Sequence, residues 1–124
     1  MTEPAAAQAA TGDALPEVAP LPAVLAALQD PVRLEMVRRL DASEGPQRCS
    51  SLYDSVSKST AAHHFKILRE AGITSRFTTD GNTYVSLRAE DVRRALPGLL
   101  DAVIDAANRA RPDTEPAGAN RAAK

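Results

Sequence analysis

Polar and basic side chains recur at helical spacing between residues 57 and 70, and their chemistry is the most informative in the sequence. Ser59, His63, Lys66 and Glu70 are separated by steps of four, three and four residues, so a helix places them on one solvent-facing side. Ammonium, imidazole and hydroxyl groups suit the phosphate oxygens and base edges of nucleic acid. The candidate contacts of this kind are Lys58, Ser59, Thr60, His63, Lys66 and, further along the chain, Arg76.

The distribution of charge supports a local basic surface. The 124 residues have a net charge of −1, which by itself argues against binding to nucleic acid. Residues 57–88 nevertheless contain five basic and two acidic residues, whereas residues 1–30 contain four acidic residues and no lysine or arginine. The acidic N-terminal segment offsets this local excess of basic residues, so the net charge of the whole chain does not reveal a basic surface. Random clustering of solvated charges would give the same distribution, so charge alone leaves both interpretations open.

Apolar spacing predicts two helices before this region. A first helix begins at Pro22 and places Val24, Leu25 and Leu28 on one side. Asp30 has the side chain of a helix N-cap, and the following proline suits the first helical position. The second helix runs to about Leu40, and Gly45-Pro46 then interrupts the chain.

The polar-faced helix is predicted to lie between a short helix and a hairpin. The short helix falls around residues 50–55, and Ser57 caps the next helix, which ends before Gly72. Its buried face is apolar at helical spacing: Ala61, Phe65, Leu68 and Ala71. Two β-prone runs, Thr74–Thr79 and Thr83–Leu87, are joined by Asp80-Gly81-Asn82, which is turn chemistry. After a helical turn at Glu90-Asp91, Pro97 begins a last helix with the apolar positions Leu99, Leu100, Val103 and Ile104.

Composition defines the ends of the domain and its class. Residues 1–20 and 111–124 are rich in Ala and Pro or polar residues, so we expect a disordered leader and tail around a domain at 21–110. No run of eighteen apolar residues predicts a membrane span, and the N-terminus lacks the features of a signal peptide. A single cysteine cannot form an intramolecular disulfide, so we expect a cytoplasmic protein.

Three segments resemble the ArsR family of bacterial repressors. SKSTAAHHFKILREAGI, at residues 57–73, is similar to the family's recognition helix, Ser-x-Ser-Thr-x-Ser-x-His-Leu-x-x-Leu-Arg-x-Ala-Gly-Leu. LAALQDPVRLEMVRRL resembles its Ala-Leu-x-Asp-Pro-x-Arg-Leu-x-Ile-Leu segment, and GNTYVSL resembles its Gly-Arg-x-x-x-Tyr-x-Leu wing. The resemblance covers about residues 21–107 in matching order.

The resemblance implies a DNA-binding homodimer whose first and last helices form the interface. The residues expected there are Leu25, Leu28, Leu99, Leu100, Val103 and Ile104. Ala62 stands where the family often has Ser, so we include it among the DNA contacts without the hydroxyl. Asn82 stands where the wing often has Arg, so Arg76 must supply more of the wing's charge.

Cys49 and the two histidines have alternative interpretations. The Cys-x-Cys pair of metal-sensing relatives is missing around Cys49, and the last helix contains Asp101 and Asp105 but no histidine, so we expect no metal and no cofactor. We favour Cys49 as a small, partly buried hydrophobe. A thiol switch is the minority interpretation, and the adjacent Arg48 supports it slightly, because a positive charge would favour the thiolate. His64 is interpreted as a packing and hydrogen-bonding residue.

The sequence therefore predicts a mainly α winged helix-turn-helix domain with one β-hairpin, in the order four helices, two strands and a last helix. We expect a repressor that binds a double-stranded DNA operator as a homodimer, with no membrane association and with an unidentified effector. No catalytic triad, phosphate-binding glycine loop or zinc-hydrolase motif indicates an enzyme. Two alternatives remain: a thiol- or metal-gated sensor of the same fold, and a protein-interaction module that has lost DNA binding. The salt dependence of DNA affinity distinguishes the last of these.

Overall fold

The computed structural model describes residues 15–110, so most of the predicted leader and the whole predicted tail lie outside the described residues. The elements within this range are α1 (Leu21–Leu28), α2 (Pro31–Ser43), β1 (Gln47–Arg48), a 3-10 turn (Cys49–Leu52), α3 (Lys58–Glu70), β2 (Thr74–Thr79), β3 (Asn82–Leu87), α4 (Ala89–Ala95) and α5 (Leu99–Ala110). Helices followed by a hairpin and a last helix form the predicted winged helix-turn-helix fold.

Two helices begin at the predicted capping side chains. Asp30 Oδ2 accepts hydrogen bonds from the backbone N–H groups of Val32 at 2.8 Å and Arg33 at 3.1 Å. Burial raises the pKa of Asp30, but these backbone hydrogen bonds outweigh burial and leave the pKa below its ordinary value. Ser57 Oγ accepts from the backbone N–H of Thr60 at 3.2 Å at the start of α3. A cap of this kind is worth about 1 kcal/mol of stability.

Arg33 connects the first three helices of the domain. Its Nε donates to the carbonyl of Ala27 at 2.7 Å, near the end of α1, and its Nη1 lies 3.0 Å from Nδ1 of His64 on α3. A guanidinium is only a donor, so this nitrogen of His64 acts as the acceptor. The interpretation of His64 as a hydrogen-bonding residue is confirmed. The contact sets the position of α3 against the rest of the domain.

The sheet contains one strand that the sequence pattern did not predict. Its strand order is β1-β3-β2, and both pairings are antiparallel, with Gln47 opposite Val85 and Arg76 also opposite Val85. The prediction of a short helix around residues 50–55 is wrong in its bounds, because the only helical segment there is the 3-10 turn at Cys49–Leu52, directly after β1. A two-residue strand has no period of its own and forms only because β3 offers a free edge.

The core joins all the helices to the hairpin. Within the described range, its buried hydrophobic residues are Val24, Ala27, Leu28, Met36, Val37, Leu40, Leu52, Ala61, Phe65, Leu68, Ala71, Ile73, Val85, Val92, Leu100 and Ile104. The predicted buried face of α3 is therefore confirmed. On α2, Met36 is fully buried, whereas Leu34 is only partly buried.

The last helix begins later than predicted and packs differently. Pro97 lies in a turn, and Gly98 has a φ of 84°, so α5 starts at Leu99 rather than at Pro97. Leu100 and Ile104 are 0% and 6% exposed because α5 packs on α2. Together with Leu28 on α1, these residues belong to the core of the protomer, which corrects the expectation that their side chains face a partner.

The segment before α1 packs on the turn that follows α3. Ala19 donates its backbone N–H to the carbonyl of Ala71 at 2.9 Å, and Arg88 Nη1 donates to the carbonyl of Pro16 at 2.7 Å. Gly72 has a φ of 82°, and a Cβ there would lie 2.6 Å from Cα of Val18. The expected leader at residues 1–20 is therefore corrected at its C-terminal end, because residues 16–20 are part of the packed domain.

Candidate nucleic-acid interface

Helix α3 presents a polar face on its outer side. All seven sequence-predicted contacts are exposed: Lys58, Ser59, Thr60, Ala62, His63 and Lys66 on this helix and Arg76 on β2. Ser57 Oγ donates to Thr60 Oγ1 at 3.0 Å and lies 3.3 Å from Ser59 Oγ, so three hydroxyls are grouped at the helix N-terminus. The first turn contains no acidic residue. Free backbone N–H groups and hydroxyls at this end suit a phosphate group.

An ion-pair network on α2 holds the turn that leads into α3. Glu35 accepts hydrogen bonds from Arg38 and Arg39, and Arg39 Nη2 also contacts Asp54 Oδ2 at 3.0 Å. Arg39 Nη1 reaches the carbonyl of Ser51 at 3.3 Å. These contacts connect α2 to the turn between the 3-10 segment and α3. The orientation of the polar face therefore depends on α2 as well as on α3.

The wing is a tight hairpin next to α3. Asp80 and Gly81 have φ values of 52° and 79°, so the two-residue turn has positive φ at both central positions, as in a type I′ turn. Thr79 pairs with Asn82, which begins β3 rather than belonging to the turn. Arg76 lies opposite Val85 on the face towards α3, whereas Phe77 and Tyr84 stack at 5.4 Å on the other face.

A cleft of about 640 Å³ separates α3 from the wing. Its basic lining residues are Arg48, Lys58, Lys66, Arg69 and Arg76. Its apolar and aromatic lining residues are Cys49, Tyr53, Ala61, Ala62, Phe65 and Val85. No acidic side chain lines the cleft within residues 15–110. The cleft therefore joins the polar face of α3 to the wing through a continuous positive surface.

Two arginines of this surface were not among the predicted contacts. Arg48 Nη2 donates to Asn82 Oδ1 at 2.9 Å, so a basic side chain from β1 lies at the wing next to the position where the family often has its own arginine. Arg69 lies near the end of α3, where burial and then the positive charge of Arg76 lower its pKa. The basic count of residues 57–88 included Arg69, but only the pairing of β1 with β3 places Arg48 here.

The environment of Cys49 differs from the one expected. Burial raises the pKa of the Cys49 thiol, and the nearby charge of Arg76 only partly opposes this. The adjacent Arg48 is hydrogen-bonded to Asn82 and is not the charge that acts on the thiol. The argument that Arg48 favours the thiolate is therefore wrong, and a protonated, partly buried thiol agrees with the structural interpretation.

Between residues 15 and 110, no group of three or more His, Cys, Asp and Glu side chains has the arrangement needed to hold a metal ion. No helix in this range is long and apolar enough to cross a membrane.

Comparisons with known proteins agree with this geometry. Residues 28–75 match the family described as "Helix-turn-helix domain". The "Uncharacterized HTH-type transcriptional regulator YceK" of Bacillus subtilis strain 168 is 38% identical over 80 residues, which are 63% of this chain and 80% of that protein.

Solved structures show the same fold at low identity. The transcriptional repressor BigR from Xylella fastidiosa superposes with a TM-score of 0.54 at 22% identity, over 86% of this chain and 96% of that one. An ArsR-like transcriptional regulator from Rhodococcus sp. RHA1 has a TM-score of 0.53 at 23% identity, over 72% of this chain and 84% of that one.

The fold and the site define a transcriptional regulator with a helix-turn-helix DNA-binding fold. The chain belongs to the helix-turn-helix transcriptional regulators, and it has the winged fold of the ArsR family, as its sequence motifs predict.

Proposed function

We propose that this protein is a repressor that binds a specific double-stranded DNA operator as a homodimer. The observation that carries the proposal is the positive surface that extends from the N-terminus of α3 to Arg76 on the wing. Among residues 15–110, no acidic residue lines the cleft between them. Such a surface suits the phosphate backbone on both sides of a groove. The BigR protein of similar fold is a repressor, which supports the same role for this chain.

The exposed residues divide between sequence reading and positioning. Side chains near the N-terminus of a recognition helix contact base edges in the major groove. Lys58 and His63 occupy such positions, whereas Ser59, Thr60 and Lys66 are placed for phosphate contacts. Arg76 lies on the wing and contacts the backbone or the minor groove beside the helix. Ala62 offers a methyl group to an apolar base edge.

A dimer in this proposal uses the exposed members of the expected apolar set. Leu25 on α1 is 45% exposed, and Leu99 and Val103 on α5 are partly exposed. Leu21, at 43%, extends the apolar surface of α1. Two-fold pairing of these helices buries apolar area from both protomers. It also places two recognition helices about 34 Å apart, at half-sites separated by one turn of DNA.

The experiment selects binding sites from a random DNA pool with the purified full chain and measures affinities by fluorescence anisotropy at several salt concentrations. Lys58→Ala and His63→Ala should each cost about 1–3 kcal/mol and relax the preference at particular positions. Arg76→Ala should weaken all sequences alike and reduce the salt slope by about one per protomer. The control is Arg94→Ala, which removes an exposed positive charge on α4 that does not belong to the positive surface of α3 and the wing.

Two outcomes contradict the proposal. If the wild-type protein shows no preference over scrambled DNA at low salt, the repressor interpretation fails and the protein-interaction alternative replaces it. If sedimentation gives the monomer mass for a protein that still binds its operator tightly, the dimer is refuted. In a dimer, Leu25→Glu and Val103→Glu should each give a folded monomer, because a carboxylate would be buried without a partner.

A further inference from the structure

The cleft between α3 and the wing has the chemistry of a small-molecule site as well as that of a DNA surface. We propose that it binds a small organic anion with an aromatic or other apolar ring, and that this anion competes with DNA for the same basic side chains. The competition rests on the proposed function, whereas the binding site stands without it.

Unbalanced positive charge at the inner end of the cleft indicates an anionic ligand. Arg69 and Arg76 both line the cleft, and burial followed by the charge of Arg76 lowers the pKa of Arg69. Glu70 opposes this shift only in part and does not line the cleft. Neither guanidinium has a hydrogen bond or ion pair with another side chain among residues 15–110, whereas Lys66 is 4.0 Å from Glu70 and Arg48 contacts Asn82. Two like charges without an acceptor repel each other, and a carboxylate or sulfonate between them would remove the repulsion.

The floor of the cleft is suited to an apolar ring. Ala61 and Val85 are 1% and 2% exposed, and the rings of Tyr53 and Phe65 meet edge to face with centroids 6.1 Å apart. A volume of about 640 Å³ lies within the range of pockets that hold small organic ligands. A few charged groups over a mostly apolar floor is the usual composition of such pockets.

The inner end of the cleft is distant from the part of α3 that reads DNA. Arg69 follows Lys58 by eleven residues, which is about 16 Å along a helix axis. A recognition helix contacts bases with its N-terminal residues, so Arg69 lies beyond the reach of those contacts. The rest of the lining is shared, because Lys58, Lys66 and Arg76 line the cleft and are also the proposed DNA contacts. A bound anion would neutralise those shared charges and weaken DNA binding.

The site is tested with 2-naphthoate titrated into the ¹⁵N-labelled full chain and followed by amide chemical shifts. We expect saturable shifts in α3, β2 and β3, with a Kd in about the millimolar range for a ligand of this size. The neutral analogue 2-naphthalenemethanol should bind about tenfold more weakly, because it cannot pair with the guanidinium groups. No saturable shift up to about 10 mM, or equal binding of the neutral analogue, would overturn the site.

A matched pair of variants locates the charge. Arg69→Gln should weaken binding of 2-naphthoate about tenfold, whereas Arg94→Gln on α4 should leave it unchanged. Equal affinities for 2-naphthoate in Arg69→Gln and the wild-type protein would overturn the assignment of Arg69. Thermal denaturation checks that both variants fold. If Arg69→Gln does not fold, the chemical-shift map of the wild-type protein with 2-naphthoate still tests the site.

Competition is tested in a separate experiment. The affinity for DNA is measured in the presence of 2-naphthoate and compared with the affinity in an equal concentration of acetate at the same ionic strength. We expect 2-naphthoate to weaken DNA binding by the wild-type protein and to have much less effect on Arg69→Gln. Binding of 2-naphthoate with unchanged DNA affinity would refute the competition. Binding of 2-naphthoate by a protein without DNA affinity would refute the proposed function and the competition, but it would support the site.

Discussion

Acidification should weaken the fold through Glu35, whose carboxylate orients Arg38 and Arg39 on α2. Arg39 in turn connects α2 to the turn before α3. Arg38 donates to both carboxylate oxygens at 2.8 Å each, and Arg39 Nε donates to one of them at 2.8 Å. The hydrogen bond from Arg38 is the largest cause that lowers the pKa of Glu35, and with Arg39 it outweighs burial and brings the pKa to about 2. Arg39 also holds Asp54, so loss of this charge should loosen the connection to the recognition helix.

The magnitude follows from the difference between the folded and ordinary pKa values. A shift from 4.5 to about 2 corresponds to about 3.4 kcal/mol of stability at neutral pH. The side chain of Glu35 is 34% exposed, so solvent screening reduces this to about 1–2 kcal/mol. Because the folded pKa is depressed, the contribution is present in full above the unfolded pKa. It is lost as the pH falls from about 5 towards 2.

The assay is urea denaturation of the wild-type protein and Glu35→Gln at pH 7, 5, 4 and 3. The difference in the free energy of unfolding should be about 1–2 kcal/mol at pH 7 and fall by more than half at pH 3. Glu90→Gln is the control, because Glu90 is 87% exposed and lies 3.8 Å from Arg94. A difference between Glu35→Gln and the wild-type protein that does not change with pH would refute the reasoning.

Three other substitutions test separate parts of the structure. Gly72→Ala should lower the free energy of unfolding by about 1–3 kcal/mol, because residue 72 has a positive φ and the added Cβ would clash with Val18. Faster hydrogen exchange of the Ala19 amide, which donates to the carbonyl of Ala71, would locate the damage. Unchanged stability would contradict the packing of residues 16–20. Leu100→Ala should lower the free energy of unfolding by about 2–5 kcal/mol in denaturation experiments, because the Leu100 side chain is fully buried in the protomer. If the variant is instead a folded monomer with wild-type stability, Leu100 belongs to the dimer interface after all. Asp80→Asn should increase affinity for all DNA sequences in anisotropy titrations, because it removes a negative charge from the exposed turn of the wing. Unchanged affinity would show that the wing does not approach phosphate.

Local signals account for the elements that the sequence predicted well. The caps at Asp30 and Ser57 and the positive φ at Gly72 and Gly81 are properties of a few adjacent residues. Helical spacing separated the buried and exposed sides of α3, because its hydrophobic contacts recur with the period of the helix. The same local signals identified the seven candidate DNA contacts. Six of them lie on the polar side of a short, capped helix, and the seventh is a basic residue on the hairpin.

The misassigned features depend on contacts between residues that are distant in sequence. A stripe of Leu and Ile on α5 has the same pattern whether it faces a partner or its own core, and only packing on α2 shows that Leu100 and Ile104 are internal. The two-residue strand β1 exists only in register with β3. The packing of residues 16–20 depends on the space that Gly72 leaves for them.

The sequence by itself determined the class of fold, the bounds of α3 within one residue and the side of that helix which meets solvent, because helix caps and hydrophobic periodicity are local. The tertiary structure alone decided which charges meet. Pairing of β1 with β3 brings Arg48 to Asn82, and packing of α3 beside the wing brings Arg69 near Arg76 in a cleft that no described carboxylate lines. The positive cleft therefore arises from the register of the sheet and the position of α3, which no local pattern of residues specifies.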